Sequence, residues 1–305
     1  MFKHILVPLD GSHMAESVLP TVSSLAEKLN ASVMLIHVIE KDAPQEVHGD
    51  VHLSNSAEAE AYLKKIISQD FPAHLKVDYH VHTSEVKDVP ESIVQHAGEF
   101  EPDLIVMCTH GRSGPRDWLF GSIAQRVIAL GKTPVLLVPP LPEKVAPFHC
   151  KKLLVPLDGN KDHEQGVEVA VRLAKECNTA IHLLMVVPTY GTLSGEWRNT
   201  SRLLPGATSK MLDMAEENGH EYMKKHKTIL EKTGLSISSD VQRGDPAKII
   251  SDVAKELNAD LIVLGTHGKT GMDAFWSGSV TPKVCKNCAV PLLLVPVWVK
   301  EMINS

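Results

Sequence analysis

Leu6-Val7-Pro8-Leu9-Asp10-Gly11 returns unchanged as Leu154-Val155-Pro156-Leu157-Asp158-Gly159, 148 positions further along the chain. Four more matches follow at a spacing of 157. Asp103-Leu104-Ile105-Val106 returns at 260–263, and Thr109-His110-Gly111 returns as Thr266-His267-Gly268. Gly121-Ser122 returns as Gly278-Ser279, and the run from Pro134 to Pro139 is echoed from Pro291 to Pro296. Solenoid repeats run to about 20–45 residues, so a period this long is that of a whole domain. The 305 residues suit two domains of about 150 each. The spacing grows by nine between the first match and the later ones, which puts extra chain in the second copy. Residues 188–210, rich in Gly, Thr, Ser and Pro, read as the loop that holds it. Pro139, Pro140, Pro142 and Pro147 break regular structure between the copies. The expected division is a first domain over 1–140, a linker over 141–150 and a second domain over 151–305.

Each copy alternates strand and helix. Residues 5–9, 32–39, 104–107 and 135–138 are short apolar runs bounded by turn residues, the pattern of strands buried on both faces of a parallel sheet. Between them lie amphipathic stretches. Val18, Val22, Leu25, Ala26 and Leu29 share one helical face, and 58–67 and 91–99 also read as helices. Residues 76–82 alternate more weakly and read as a third strand at the sheet edge. Copy two repeats the order, with strands near 152–157, 180–187, 235–242, 260–265 and 291–296. Its helices fall near 161–177, 209–232, 246–257 and 278–287. Five strands alternating with four helices give a doubly wound α/β domain, twice over.

Composition narrows the function classes. Lys and Arg number 31 against 37 Asp and Glu, a net charge of −6, so the basic field of a nucleic-acid binder is not expected. No run of 18 apolar residues occurs; the apolar stretch 289–299 is short and holds Pro291 and Pro296, so no membrane span is expected. Asp10 stands where a signal peptide needs its apolar core. Five cysteines in a chain this long make no disulfide framework, and a reducing cytoplasm is the simplest expectation.

In open α/β sheets ligands bind beyond the carboxyl ends of the strands, where the strand order reverses. The segments after strands 1 and 4 are therefore the informative ones. After strand 4, copy two has Gly265-Thr266-His267-Gly268, nine further residues, then Gly278-Ser279-Val280 opening a helix. Glycines let main-chain amides approach a phosphate closely, and a helix N-terminus adds unpaired N–H groups and partial positive charge. Ser279 adds a hydroxyl. After strand 1, Asp158 is placed to accept hydrogen bonds from ribose hydroxyls. A plain Gly-Ser helix cap and a plain Thr-His-Gly turn are the competing readings, while an aspartate capping its own turn is compatible with the ribose role. The strand–loop–helix setting, with Asp after strand 1, favours a phosphate site.

These motifs resemble those of the universal stress proteins in tandem form, over nearly the whole chain. The carrying features are Val-Pro-Leu-Asp after strand 1 and the Gly-x2-Gly-x9-Gly-Ser pattern of the ATP-binding subgroup, complete at Gly265, Gly268, Gly278 and Ser279. The resemblance implies a stress-response regulatory protein and a five-stranded parallel sheet of order 3-2-1-4-5 in each domain. It implies ATP as the ligand, with or without Mg2+. Pro156, Asp158 and Val186 are implied to flank the adenosine, and Gly268, Gly278, Ser279 and Val280 to take the phosphates. Leu157, Thr266 and His267 complete the candidate nucleotide-binding set in copy two. In copy one that set is Pro8, Asp10, Val38, Gly111, Gly121, Ser122 and Ile123. Copy one departs from the pattern: Cys108 replaces the first glycine, and Lys87-Asp88-Val89-Pro90 stands where copy two has Gly244-Asp245-Pro246-Ala247. Nucleotide is accordingly expected in copy two first.

Other residues invite rival readings. Cys285-x-x-Cys288 supplies two ligands where zinc wants four, and is read as two reduced cysteines. His80 and His82 share a face of a strand, and His48 and His52 are read as helical neighbours; neither pair has a firm ligand spacing, so solvated surface is expected. His110, Arg112 and Lys269 border the presumed loop. No nucleophile and base pair stands out, so no catalytic residue is assigned. Three readings remain: an ATP-binding regulatory module, a slow ATPase, and a nucleotide-free scaffold or binder of another small ligand. No Walker Gly-x4-Gly-Lys-Ser/Thr motif supports efficient turnover. The apolar last strands, 135–138 and 292–295, are expected to pair as an intrachain pseudo-dimer, with a further homodimer left open.

Overall fold

The computed structural model describes residues 1–109, 121–140, 148–193, 196–266 and 280–296. The first half contains β1 (His4–Pro8), α1 (His13–Glu16), α2 (Leu19–Leu29), β2 (Ser32–Glu40), β3 (Glu46–Val47), β4 (Asp50–Val51) and α3 (Ser56–Asp70). It continues with β5 (Val77–Val86), α4 (Val89–Phe100), β6 (Leu104–Cys108), α5 (Ser122–Leu130) and β7 (Val135–Val138). The second half contains β8 (Lys152–Leu157), a 3-10 turn (Lys161–Glu164), α6 (Gln165–Cys177), β9 (Ala180–Val187), α7 (Glu196–Leu203) and α8 (Pro205–Glu231). It closes with β10 (Ile237–Arg243), α9 (Pro246–Glu256), β11 (Leu261–Thr266), α10 (Val280–Asn287) and β12 (Leu292–Pro296).

The sequence repeats are structural repeats. Asp103 accepts the main-chain N–H groups of Lys3 at 2.7 Å and His4 at 3.0 Å, fastening the start of β1 to the start of β6. Asp260 accepts those of Lys151 at 2.8 Å and Lys152 at 2.9 Å, and fastens β8 to β11 in the same way. Asn30 and Asn178 end α2 and α6 in the left-handed region, at φ 49° and 53°. Asparagine tolerates that conformation better than most residues.

The larger sheet runs β10-β9-β8-β11-β12-β7-β6-β1-β2-β5. Numbered within each half, that is 3-2-1-4-5 twice. Neighbours within each half are parallel. The two fifth strands meet antiparallel, with Leu292 opposite Leu137, Leu293 opposite Leu136 and Leu294 opposite Val135. Each of these strands is buried on both sides. Leu136, Val138, Leu293 and Val295 join the core under α2 and α6, and Val135, Leu137, Leu292 and Leu294 join the core on the opposite face. This explains why the runs are uninterrupted rather than alternating. No helix among the described residues is long and apolar enough to cross a membrane.

Two expectations fail. Residues 188–210 are not one loop, because α7 and the start of α8 occupy much of the stretch. Pro205 stands at the first position of α8, where a helix loses no hydrogen bond to proline. Trp197 on α7 is 58% exposed. His48 and His52 are not helical neighbours: His48, at φ 52°, forms with Gly49, at φ 89°, the turn of a small antiparallel hairpin of β3 and β4, and His52 follows β4. The expected linker lies mostly outside the described residues; its end is tied down where Ser24 Oγ donates to the Phe148 carbonyl and Thr179 Oγ1 to that of Cys150.

Candidate functional site

The sheet order reverses beside β1 in copy one and beside β8 in copy two. In copy one the carboxyl ends of β1, β2 and β6 and the start of α5 enclose a cavity of about 270 Å³. Five of the residues expected in this copy line it: Pro8, Asp10, Val38, Ser122 and Ile123. Gly121 is the N-cap of α5 with no side-chain cap, so the first turn presents its main-chain amides without a local acceptor from that residue. Gly111 and His110 lie outside the described residues.

Asp10 holds its own turn. Its Oδ1 accepts the Ser12 N–H at 2.9 Å and the Ser12 hydroxyl at 2.6 Å, while Oδ2 is 4.0 Å from His48 Nε2. Ser12 in turn caps α1 by accepting the Ala15 N–H at 3.1 Å. Asp158 does likewise in copy two, where its Oδ1 accepts the Asn160 N–H at 2.9 Å. Both aspartates thus cap their own turns, which orients each carboxylate at the end of strand 1.

The β3–β4 hairpin borders the copy one cavity, contributing Val47 and His48 to its lining, and His52, directly after β4, lines it too. It is fastened to α1 by Asp50, which accepts the His13 N–H at 2.9 Å and lies 2.8 Å from His13 Nδ1. Those hydrogen bonds lower the Asp50 carboxyl below its ordinary value, and the same pairing raises His13. Nothing in the sequence flagged this hairpin, because strands of two residues show no periodicity.

Two orphaned nitrogens bear on what fits the cavity. His37, 1% exposed, places Nδ1 2.8 Å from the Leu9 carbonyl. A carbonyl only accepts, so Nδ1 carries the proton and Nε2 of the neutral ring is a bare acceptor. Burial pushes the His37 pKa down and keeps the ring neutral. His37 Nε2 and His52 Nδ1 are both buried without a hydrogen-bond partner. Each ring lines the cavity. A ligand bearing N–H or O–H donors, as a nucleoside does, suits such a lining.

Cys108 ends β6 where copy two has Gly265. Its thiol is 2.9 Å from the Thr109 carbonyl and 3.3 Å from Ser17 Oγ, and burial pushes its pKa up to about 11. The departure from the glycine pattern is thus filled by a protonated, hydrogen-bonded thiol rather than by strained backbone.

In copy two, Pro156, Leu157 and Asp158 end β8, Val186 lies near the end of β9, Gly265 and Thr266 end β11, and Val280 opens α10. They gather at the corresponding strand ends. His267, Gly268, Gly278, Ser279 and Lys269 lie outside the described residues, as does Arg112 in copy one. Beside Asp158, Tyr222 donates to Glu164 Oε1 at 2.8 Å, and His226 Nε2 is 3.4 Å from the same oxygen. Both copies place Asp before the helix that follows the third strand of the sheet: Asp88 caps α4 and Asp245 caps α9, each accepting an N–H three residues on. Cys285 and Cys288 are free and buried, and burial pushes the Cys285 thiol up to about 12.

Comparison with known proteins places this geometry. The model of the universal stress protein family matches residues 1–139 and again 149–296. A universal stress protein of Methanocaldococcus jannaschii is 35% identical over 155 residues, covering 50% of this chain and 85% of that protein. A universal stress protein E homolog of Haemophilus influenzae is 24% identical over 318 residues, covering 96% of each. Among solved structures, a universal stress protein from Archaeoglobus fulgidus superposes with a TM-score of 0.72 at 19% identity, covering 96% of this chain and 98% of that one. At that identity the superposition speaks for the fold.

Proposed function

The chain belongs to the universal stress protein family, and from that premise we propose that it is a stress-response regulatory protein that binds an adenine nucleotide at the strand ends of each half. The observation that carries the reading is the copy one cavity. Pro8, Asp10, Val38, Ser122 and Ile123, drawn from β1 and the loop after it, β2 and α5, line one space of about 270 Å³. That volume falls just short of ordinary small-ligand pockets, which begin at about 300 Å³. It suits the nucleoside part of the ligand, with phosphates leaving toward the amides of α5.

Each residue has a role by its chemistry. Ile36, Val38 and Met107 offer an apolar wall to the base. Asp10 stands to accept ribose hydroxyls, and His37 Nε2 to accept one further N–H or O–H. The first turn of α5 offers main-chain amides to phosphate oxygens. In copy two, Asp158 and Val186 take the corresponding places, and Gly265, Gly268, Gly278, Ser279 and Val280 supply the phosphate loop. Mg2+, when bound with the nucleotide, would neutralise phosphate charge. Cytoplasmic residence belongs to the same proposal.

Nucleotide extracted from the purified full chain and identified by mass spectrometry tests the proposal, together with calorimetric titration of adenosine, AMP and ATP. Two sites are expected. Ile123→Trp should remove the copy one site and Gly278→Val the copy two site, each leaving the other. Binding untouched by both substitutions would overturn the reading.

A further inference from the structure

His80 and His82 alternate along β5, so both side chains leave the same face of the sheet. His96 meets them from α4. One ring nitrogen from each of the three lies within 4.8 Å of the other two, and among the described residues this is the group of three metal-ligating side chains so gathered. His96 Nε2 is 2.9 Å from His82 Nδ1. The His80 and His96 ring centroids are 4.8 Å apart, and those of His82 and His96 are 4.9 Å apart. Ligand nitrogens about 2.0–2.1 Å from a tetrahedral zinc ion stand about 3.4 Å from one another. The spacings here bracket that value, so small side-chain rotations reach it.

The surroundings hold the rings in a ligating state. His96 Nδ1 is 2.8 Å from Glu99 Oε2, one helical turn on. A carboxylate accepts, so the proton sits on Nδ1 and the Nε2 lone pair is turned to the cluster. A carboxylate behind a ligating histidine is the usual outer partner of a metal site, fixing tautomer and orientation. Phe100 locks the rings further. It stacks on His96 at 5.5 Å and 10°, and meets His80 edge-on at 5.1 Å. His96 is 6% exposed, whereas His80 and His82 are half-buried, which leaves the cluster open to solvent on one side.

We propose that His80, His82 and His96 form a binding site for a divalent late first-row transition ion, zinc in particular, with Glu99 as the residue that positions His96. Three imidazoles suit zinc and its neighbours and do not suit Mg2+ or Ca2+. Water from the open side supplies the fourth ligand. The site lies on the outer edge strand and is independent of the nucleotide reading.

The test uses the full chain, freed of metal with chelator and of nucleotide by dialysis, titrated with zinc chloride by calorimetry in the presence of millimolar Mg2+. One equivalent is expected above any weak background from other histidines. His80→Ala with His82→Ala should abolish that equivalent, with the far-ultraviolet circular dichroism unchanged. His96→Gln should do the same. Glu99→Gln, at an exposed carboxylate that holds only the tautomer, should weaken binding by about 10- to 100-fold. The cobalt form should show the visible absorption of a four-coordinate ion, lost in the double variant. Zinc stoichiometry and affinity unchanged in the folded double variant would overturn the proposal, as would the absence of a stoichiometric equivalent in the unsubstituted chain.

Discussion

A β-carbon built on Gly166 would stand 3.1 Å from the main-chain nitrogen of Gly265. The start of α6 therefore rests on bare backbone at the point where β11 leaves the sheet. Copy one fills the corresponding region with side chains, Ser17 Oγ lying 3.3 Å from Cys108 Sγ. The two halves share a path and differ in what pads it.

Gly166→Ala sets two effects against each other. Alanine is favoured over glycine in a helix by about 1 kcal/mol. Overpacking against atoms that cannot swing away costs about 1–3 kcal/mol. The neighbour is backbone, so the second effect should win, with a net loss of about 1 kcal/mol in urea denaturation. Gly166→Val should lose more. A stabilised alanine variant would show that the end of β11 yields freely.

Gly11 has φ 91°, and a β-carbon there would lie 2.9 Å from Leu53 Cδ1. Gly11→Ala should cost about 1–3 kcal/mol through backbone strain alone. Leu53 follows directly on His52, which lines the cavity, so the same change should also weaken ligand binding in copy one. Adding Leu53→Ala should recover the contact part of the loss and leave the strain. Full recovery in denaturation midpoint would refute the strain argument.

Acid should destabilise the fold through His37. Burial lowers its pKa in the native state against the opposing pull of the Leu9 and Leu53 main chain, with a smaller like-charge contribution from His52 and a smaller opposing one from Asp10. His182 is lowered by burial as well. The unfolded chain therefore binds protons that the folded chain refuses. Stability is present in full above the ordinary histidine pKa of about 6.5 and falls as pH drops below it, by up to about 1.4 kcal/mol per pH unit for each such ring. Denaturation midpoints from pH 7 to pH 5 should decline, and His37→Asn should flatten the slope. An equal slope in that variant would assign the decline to other groups.

Cysteine reactivity should be uneven. A hydrogen bond from the Cys150 thiol lowers Cys177 below the ordinary thiol range, and Cys177 is half-buried. Cys108 is pushed up to about 11 and Cys285 to about 12 by burial, and Cys288 is raised too. Since the thiolate is the reactive form, a time course with iodoacetamide near pH 7.5, read by peptide mass spectrometry, should label Cys177 first. Faster labelling at Cys285 or Cys288 would contradict the packing of α10.

The strands could be read from apolar runs because Leu136 and Leu137 face two different cores, and so no polar residue interrupts the run; their order came from the family resemblance alone. Asp10 and Asp158 could be read because a repeated hexapeptide carries them. Three things stayed hidden for physical reasons. The β3–β4 hairpin that brings His48 and His52 to the cavity is too short for any period to show. Only the first turn of α8, expected from 209, was missed, because Pro205 signals a turn as readily as a helix start. His96 joins His80 and His82 only when α4 folds back beside β5, a juxtaposition that no local spacing encodes.

The antiparallel meeting of Leu293 with Leu136 lies inside one polypeptide. Translation thus delivers the two halves in a fixed one-to-one ratio, already covalently tethered, and neither has to find its mate by diffusion. Self-recognition no longer constrains the two surfaces to stay identical. Each is free to change under its own selection, as the matching positions held by Cys108 in one half and Gly265 in the other illustrate.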